Sequence, residues 1–301
     1  MISLDNLTVS YGGWTLFDNI SFLINEKDRI GLVGKNGAGK TTLIRLICGL
    51  QAPTSGDYTL YGVKNTDPKV VRSRRRMGAV VETPSIYMDM TAEENLKQQY
   101  LILGLPSFDS IPELLKLVGL ENAEKKKARN FSLGMRQRLG IAIALAGDPD
   151  LLVLDEPTNG LDPQGIIEMR ELILKLNRQR NITVIMSSHI LDELARLATH
   201  YGFIDGGRML REISAEELEA ACRKCLRVEV SDVGALTRVL DAKGIEYKVI
   251  SDTKADIYAK MSITELAAAL AGESCELLGV TEKDESLESY YVNLVGGDRH
   301  D

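Results

Sequence analysis

The distribution of apolar and polar residues divides the chain into strands and helices typical of an α/β protein. Residues 2–24 alternate apolar and polar positions around a Gly12-Gly13 turn, which predicts two antiparallel strands. Residues 29–33, 151–154 and 183–187 are short apolar runs, as in parallel strands that are buried on both faces. We therefore expect a largely parallel sheet with an antiparallel sheet beside it.

The middle third of the chain has helical rather than strand periodicity. Thr91 and Glu94 have the spacing of a capping box, and Ser110 and Glu113 repeat it, so each pair predicts the start of a helix. Ser132 precedes a third helical segment as an N-cap residue. These features predict a helical subdomain over about residues 84–147, inserted between strands of the sheet.

The pattern changes after residue 213. Ser214 and Glu217 have the spacing of another helix start, and the segments that follow alternate in the order β-α-β-β-α-β. This is the order of a ferredoxin-like unit, and no phosphate-binding loop recurs in it. We expect a first domain over residues 1–213 and a small α+β accessory domain over residues 214–301, with a role in regulation, dimer support or partner contact.

Length, charge and cysteine content restrict the classes of function. The chain has 301 residues and a formal net charge of −7, which argues against broad nucleic-acid binding because that needs a basic surface. No run approaches the ~18 apolar residues of a membrane-spanning helix, and the first residues lack a signal-peptide pattern. We expect a cytoplasmic protein that meets a membrane only through a partner. Cys222 and Cys225 have C-x-x-C spacing without a second pair, so we expect reduced thiols.

A phosphate-binding loop is the strongest chemical signal in the sequence. The pattern G-x-x-x-x-G-K-[ST] lies between a predicted strand and a predicted helix. Its glycines let successive N–H groups point at phosphate oxygens, and the helix N-terminus adds positive potential. We expect Lys40 to contact the β- and γ-phosphates of a nucleotide, as a catalytic residue, and the Thr41 hydroxyl to hold Mg²⁺. The candidate nucleotide-binding residues of the loop are Gly34, Lys35, Asn36, Gly37, Ala38, Gly39, Lys40, Thr41 and Thr42.

Acidic residues and a histidine follow two of the predicted buried strands. Asp155 is placed at a strand tip to hold Mg²⁺, and Glu156 is the candidate general base. His189, directly after the next strand, is placed to hydrogen-bond the γ-phosphate. Tyr11, at the end of the first strand, is a candidate for stacking on a nucleotide base. With a phosphate-binding loop, these residues predict ATP hydrolysis with Mg²⁺.

These motifs resemble those of the ATP-binding cassette (ABC) ATPases, the nucleotide-binding subunits of transporters. The resemblance covers residues 1 to about 212. Residues 34–41 match the family's Walker A motif, residues 151–156 its Walker B motif, and Leu161-Asp162 its D-loop. Most diagnostic are residues 131–138, which resemble the signature motif that precedes a helix. The resemblance implies a P-loop NTPase core with an antiparallel β subdomain and a helical subdomain.

The same resemblance implies roles for single residues and two partners. His189 matches the family's switch histidine, and Tyr11 matches its adenine-stacking aromatic. In this family two subunits pair head to tail, and the signature of one subunit, here Ser132 and Gly134, contacts the γ-phosphate that the other subunit holds. Asp162 of the D-loop is a further candidate for nucleotide binding. The implied partners are a second copy of the chain and a separate membrane permease, with no nucleic acid.

Two departures from the family pattern point to one subgroup of the family. Leu133 and Met135 occupy signature positions that usually hold glycine and glutamine, and Glu82 stands where the Q-loop usually has glutamine. Both departures, and the final segment over residues 286–291, are similar to those of exporter subunits that expel bacitracin or lantibiotic peptides. Glu82 is therefore a further candidate for catalysis and for the Mg²⁺ site.

Three interpretations of function follow. The leading one is an ATPase that drives a separate permease, which exports a peptide antibiotic or a similar amphiphile. The alternative is a soluble ABC-type ATPase that acts as a mechanical clamp on a cytosolic assembly. Members of that type in translation usually carry two cassettes, whereas this chain has a single set of motifs. The third, a small-molecule kinase, is disfavoured by the signature motif and by the Asp155-Glu156 pair.

Overall fold

The chain forms two compact units, residues 1–215 and residues 216–301. The structure is a computed structural model, and it describes all residues except 12–13, 124, 223, 260, 284–286 and 298–301. For residues 11, 14, 19, 283 and 297 it describes the backbone alone. Among the described residues, no helix combines the length and the apolar character needed to cross a bilayer.

The first unit alternates strands with helices. Its elements, in chain order, are β1 (Ile2–Tyr11), β2 (Trp14–Ile24), β3 (Arg29–Val33), α1 (Lys40–Cys48), β4 (Ser55–Leu60), β5 (Val63–Lys64), α2 (Val70–Arg74), β6 (Met77–Val80), α3 (Ala92–Leu103), α4 (Ile111–Leu117), α5 (Leu133–Leu145), β7 (Leu151–Asp155), α6 (Pro163–Arg180), β8 (Thr183–Ser188), α7 (Leu191–Ala195), β9 (His200–Asp205) and β10 (Arg208–Ser214).

A six-stranded sheet forms the centre of this unit, with the strand order β10-β9-β3-β8-β7-β6. The neighbours from β9 to β6 are parallel, and β10 pairs antiparallel with β9. Every residue of β7 and β8 is buried, which confirms the prediction from their apolar runs. Because β3, β8 and β7 are parallel, their carboxyl ends lie at one edge of the sheet.

An antiparallel sheet with the order β2-β1-β4-β5 shares a hydrophobic core with the central sheet. The pairing of β1 with β2 confirms the predicted antiparallel strands, and the Gly12-Gly13 turn lies outside the described residues. Leu43 and Ile44 of α1 belong to the same buried cluster as Phe17 of β2 and Val153 of β7. The helix after the phosphate-binding loop is therefore held by both sheets.

The helical region between β6 and β7 begins where the sequence predicts. The Thr91 hydroxyl accepts the N–H of Glu94 at 3.2 Å, and the Glu94 carboxylate accepts the N–H of Thr91 at 2.7 Å. This capping box lowers the pKa of Glu94, because the backbone and the hydroxyl of Thr91 bond its charged form. Ser132 caps α5 as predicted, by accepting the N–H of Met135 at 3.2 Å.

The capping box predicted at Ser110 is wrong. The backbone of Ser110 is already helical, with φ −83°, and its hydroxyl makes no cap bond to α4. The hydroxyl is instead 2.8 Å from the hydroxyl of Tyr100 on α3. The Ser110 hydroxyl therefore contacts Tyr100 instead of capping α4 as the local pattern predicts. The helix still begins at Ile111, with Pro112 in its first turn, where a missing N–H costs no bond.

The second unit begins within α8 (Ala215–Ala221). Its other elements are β11 (Cys225–Val230), α9 (Val233–Ala242), β12 (Tyr247–Ser251), β13 (Lys254–Ile257), α10 (Ile263–Gly272), β14 (Leu277–Lys283) and α11 (Leu287–Gly297). All neighbours in the sheet order β12-β13-β11-β14 are antiparallel. This is the arrangement of the predicted ferredoxin-like unit, and residues of α9 and α10 fill its core. Cys48 and Cys275 are free thiols.

Candidate functional site

The phosphate-binding loop joins β3 to α1 at the carboxyl edge of the central sheet. Gly37 and Gly39 have φ values of +82° and +109°, a region that other residues rarely occupy. A β-carbon on Gly39 would also lie 2.3 Å from the ring of Phe17. Gly39 is the N-cap residue of α1 and offers no side-chain oxygen, so the first N–H groups of the helix are left for an anion.

Lys40 is folded over this loop. Its side chain is only 5% exposed, and Nζ donates to the carbonyl oxygens of Gly34 at 2.6 Å and Lys35 at 3.3 Å. The same nitrogen lies 3.5 Å from Oε1 of Glu156. The ammonium group is therefore held between the loop and the strand edge, where its charge favours an anion such as a phosphate.

Asp155 ends β7, and Glu156 follows it at the same edge. Asp155 is 3% exposed, and its Oδ1 accepts the hydroxyl of Ser187 at 2.6 Å. Glu156 has φ +50°, and its N–H donates to the same hydroxyl oxygen at 2.9 Å. The left-handed backbone at Glu156 changes the direction of the chain directly after the strand.

His189 completes the row of polar groups, because it directly follows β8. Its Nδ1 contacts Oε2 of Glu156, while Oε1 of Glu156 faces Lys40. The Glu156 carboxylate thus lies between an ammonium group and an imidazole. A base in this position can accept a proton from water and pass it to the imidazole.

These groups line one cleft of about 550 Å³, in which charged, amide and hydroxyl groups face a common space. Its lining residues are Asn36, Thr41, Glu82, Thr83, Leu133, Gln137, Asp155, Glu156, Asn159 and His189. An adjoining cleft of about 320 Å³ runs along the phosphate-binding loop and shares several of these residues. It is lined by Leu16, Lys35, Asn36, Gly37, Gly39, Lys40, Thr41, Thr42, Arg45, Glu82 and Glu156.

Comparison with known proteins identifies the family. The profile of the ABC transporter family matches residues 17–159. A bacitracin transport ATP-binding protein of Bacillus licheniformis is 40% identical over 300 residues, which is 99% of this chain and 98% of that protein. The chain belongs to the ABC transporter family.

Further comparisons agree with this family. A lantibiotic transport ATP-binding protein of Streptococcus pyogenes is 42% identical over 212 residues, 70% of this chain and 90% of that protein. A solved dimeric ATP-binding cassette in a post-hydrolysis state, bound to ADP and Pi, superposes with a TM-score of 0.64 at 27% identity. That alignment covers 71% of this chain and 99% of the cassette. As an ABC transporter ATP-binding subunit, the chain binds and hydrolyses ATP.

The structure brings most of the predicted ABC site residues together and leaves others apart. The lining of the two clefts contains Glu82, Asp155, Glu156 and His189 beside most of residues 34–42. Gly34 lies beneath the loop as an acceptor for Lys40, and Ala38 is buried in the core cluster. The side chain of Tyr11, predicted to stack on the base, lies outside the described residues.

Three predicted residues of the signature and D-loop, Ser132, Gly134 and Asp162, lie at helix starts and not in the lining of these clefts. Ser132 caps α5, and the Asp162 carboxylate caps α6 by accepting the N–H of Gly165 at 3.0 Å. Gly134 is in the first turn of α5, and Leu133 and Gln137 of the signature segment line the larger cleft. An arrangement in which Ser132 and Gly134 serve the nucleotide of another copy is compatible with this placement.

Glu82 has a local environment that sequence reasoning missed. Its backbone is left-handed, with φ +61°, and its carboxylate is ion-paired with Arg45 on α1. Arg45 is four residues after Thr41 and so lies on the same side of the helix. This helical spacing could have predicted that Arg45 lies beside the cleft.

Other cleft residues were also missed. The sequence places Ser187 only in a buried strand and Gln137 only within the signature segment, yet Ser187 bonds Asp155 and Gln137 lines the cleft at 7% exposure. Thr83 and Asn159 lie in loops that follow β6 and β7. Their position in the sequence could have indicated them, because each lies within a few residues of the carboxyl end of a strand of the central sheet.

Proposed function

We propose that this ATPase powers a separate membrane permease that exports a peptide antibiotic or a similar amphiphile. The observation that carries the proposal is the full-length similarity to a bacitracin transport protein, which extends over both units of the chain. A lantibiotic transport protein is also similar, over 212 residues of the chain. In this proposal the chain works at the cytoplasmic face of the membrane, through its permease. Residues 1–213 form its nucleotide-binding domain, and residues 214–301 its accessory domain.

Mg²⁺ is the metal that the cleft fits. Thr41, Glu82 and Asp155 offer oxygen donors to one space, and oxygen is the ligand that Mg²⁺ prefers. Among the described residues, no cluster of three or more His, Cys, Asp or Glu side chains is arranged to hold a metal alone. A site with few protein ligands is what Mg²⁺ uses when substrate phosphates complete its shell. The bound ion would neutralise phosphate charge.

The proposed roles in hydrolysis are supported by the contacts of Lys40, Glu156 and His189, and for Tyr11 by the family resemblance alone. Lys40 holds the β- and γ-phosphates in place of the carbonyl oxygens that it contacts here. Glu156 orients the attacking water and takes its proton. His189 hydrogen-bonds the γ-phosphate, and its contact with Glu156 aligns the carboxylate. Tyr11 stacks on the adenine ring.

Two copies of the chain close on the nucleotide in this proposal. Ser132 and Gly134 at the N-terminus of α5 of one copy face the γ-phosphate held by the other, with Asp162 nearby. The N-terminus of α5 is suited to an anion, because its first N–H groups point along the helix axis. A solved ATP-binding cassette of the same fold is dimeric, which supports this arrangement.

A groove in the first unit is suited to the permease. Its volume is about 390 Å³, and both apolar side chains and Arg74 line it. It includes Thr83 and Pro84, which follow Glu82, so a partner there would contact the segment that also reaches the nucleotide cleft. Burial raises the pKa of the Cys48 thiol in this groove to about 12, so the thiol stays protonated.

Co-expression with a candidate permease tests the proposal. The chain should co-purify with a polytopic membrane protein, and the pair should lower the sensitivity of host cells to bacitracin or a lantibiotic. Lys40→Ala in the same complex should remove the protection while co-purification persists. Protection without ATPase activity, or stable association with a soluble assembly in place of a permease, would contradict the proposal and favour a mechanical clamp.

A further inference from the structure

Ser187 lies on β8, beside the end of β7 that carries Asp155 and Glu156. It is directly opposite Asp155 in the parallel register, and it is fully buried. We propose that Ser187 is a positioning residue that sets the geometry of both Asp155 and Glu156 for Mg²⁺-ATP. This inference rests on the proposed Mg²⁺-dependent function of the same cleft.

One hydroxyl group makes both contacts. It donates to Oδ1 of Asp155 at 2.6 Å and accepts the N–H of Glu156 at 2.9 Å. A serine hydroxyl has one proton and two lone pairs, so it can make both bonds at once. Ser187 therefore holds the side chain of one acidic residue and the backbone of the next.

The second bond matters because consecutive residues of a strand point to opposite faces. Two adjacent carboxylates would not ordinarily enter one cleft. The left-handed backbone at Glu156, with φ +50°, changes the direction of the chain so that Glu156 lines the cleft with Asp155. Such a conformation is unfavourable outside glycine and persists where its surroundings hold it. The bond from the Glu156 N–H to Ser187 is such a restraint.

The first bond orients the carboxylate that is proposed to face the metal. With Oδ1 occupied by Ser187, Asp155 has Oδ2 left to accept from metal-bound water. An alanine or valine at position 187 would fill a buried strand position equally well, but neither would bond to Asp155 or Glu156. If Ser187 only fills space, its replacement should leave the Mg²⁺ dependence of nucleotide binding unchanged. If Ser187 positions Asp155 and Glu156, the replacement should change that dependence.

The test compares Ser187→Ala with two hydroxyl or thiol variants and with a neighbouring control. Ser187→Thr keeps the hydroxyl, and Ser187→Cys keeps the volume with weaker hydrogen bonds. Ser188→Ala removes the next hydroxyl, which bonds the N–H of Ile190 at 3.0 Å and its carbonyl at 3.3 Å. The measurements are Mg²⁺ titrations of the binding of a fluorescent ATP analogue, kcat and KM for ATP, and thermal unfolding.

Ser187→Ala should raise the Mg²⁺ concentration at half-saturation and lower kcat by about 10- to 100-fold, the usual cost of losing a group that orients a metal ligand. Nucleotide binding without Mg²⁺ should not change. Ser187→Thr should restore the Mg²⁺ dependence, Ser187→Cys should be intermediate, and Ser188→Ala should match the wild type.

A wild-type Mg²⁺ dependence in Ser187→Ala would overturn the proposal, whatever happens to the unfolding temperature. If Ser187→Ala does not fold, a wild-type Mg²⁺ dependence in Ser187→Cys would overturn it equally. Failure of the proposed function is distinguishable, because the wild-type chain would then show no Mg²⁺-dependent binding.

Discussion

Charged side chains have different roles in the central sheets of the two units. In the first unit, parallel strands bring Glu156 and His189 to one edge, beside the phosphate-binding loop. In the second unit, neighbouring strands are antiparallel, so successive strand ends lie at opposite edges. Charged side chains there pair across the strands, as Arg227 does with Asp256 at 2.6 Å.

This difference shows that strand direction decides whether functional side chains from several strands can lie at one edge of a sheet. A parallel sheet gathers the loops that follow its strands, and a ligand can meet several of them at once. The Arg227–Asp256 pair instead ties β11 to β13, with Asp256 only 6% exposed and the Arg227 side chain 31% exposed. We therefore assign ATP chemistry to the first unit and a structural or partner role to the charged pairs of the second.

The largest effect on nucleotide binding is expected from Lys40→Ala. The substitution removes the ammonium group proposed to contact two phosphates, so ATP affinity should fall about 100-fold, with hydrolysis falling at least as far. Isothermal titration with ATP and Mg²⁺ measures the change. Lys64→Ala is the matched control, because Lys64 is an exposed lysine paired with Asp57 on the antiparallel sheet. ATP affinity within about threefold of wild type in Lys40→Ala would refute the assigned role.

A smaller and more selective effect is expected at Glu82. Glu82→Ala removes an oxygen proposed to face metal-bound water, so transport by the complex should fall about tenfold. Glu82→Gln keeps an acceptor oxygen and should be milder. ATP binding should change less than transport in both variants, because the exposed pair with Arg45 contributes little energy. Unchanged transport in the alanine variant would remove Glu82 from coupling.

The smallest effect on ATP chemistry is expected from the second unit. Asp256→Ala removes the carboxylate that accepts two bonds from the guanidinium group of Arg227 and should lower the free energy of unfolding of this unit by about 2 kcal/mol. Glu229→Ala breaks an exposed pair with Lys254 and should cost less than about 1 kcal/mol. Chemical denaturation measures both. A loss of ATP affinity in the folded Asp256→Ala protein would mean that the second unit contributes to the nucleotide site.

Much of the site was predictable because its signals are local in sequence. The strand, the glycine spacing and Lys40 lie within a dozen residues, and Asp155 and Glu156 lie at the end of a buried strand. Ser110 shows the limit of such signals, since a contact with Tyr100 overrides its capping pattern. A hydroxyl group can bond to groups that are distant in sequence, whereas a local pattern indicates only the partners within the same few residues.

The contribution of Ser187 was not predictable from local patterns, because it depends on how two strands align. Asp155 and Ser187 are opposite each other only in the parallel register in which Leu151 faces Thr183. Likewise, the left-handed backbone at Glu82 and Glu156 has no signal in the residue type, since glutamate rarely adopts it. These are features of the assembled sheet edge, where function retains locally unfavourable conformations.

Glu156→Gln tests the central claim most directly, namely that the carboxyl edge of the parallel sheet binds ATP and supplies the base that hydrolyses it. The amide cannot take a proton from water, so hydrolysis should fall about 10²- to 10⁴-fold while ATP binding persists. With ATP and Mg²⁺ the variant should then remain a dimer in light scattering, whereas Glu168→Gln on α6 should turn over ATP at the wild-type rate. Near-normal hydrolysis in Glu156→Gln, or loss of ATP binding together with hydrolysis, would contradict the account.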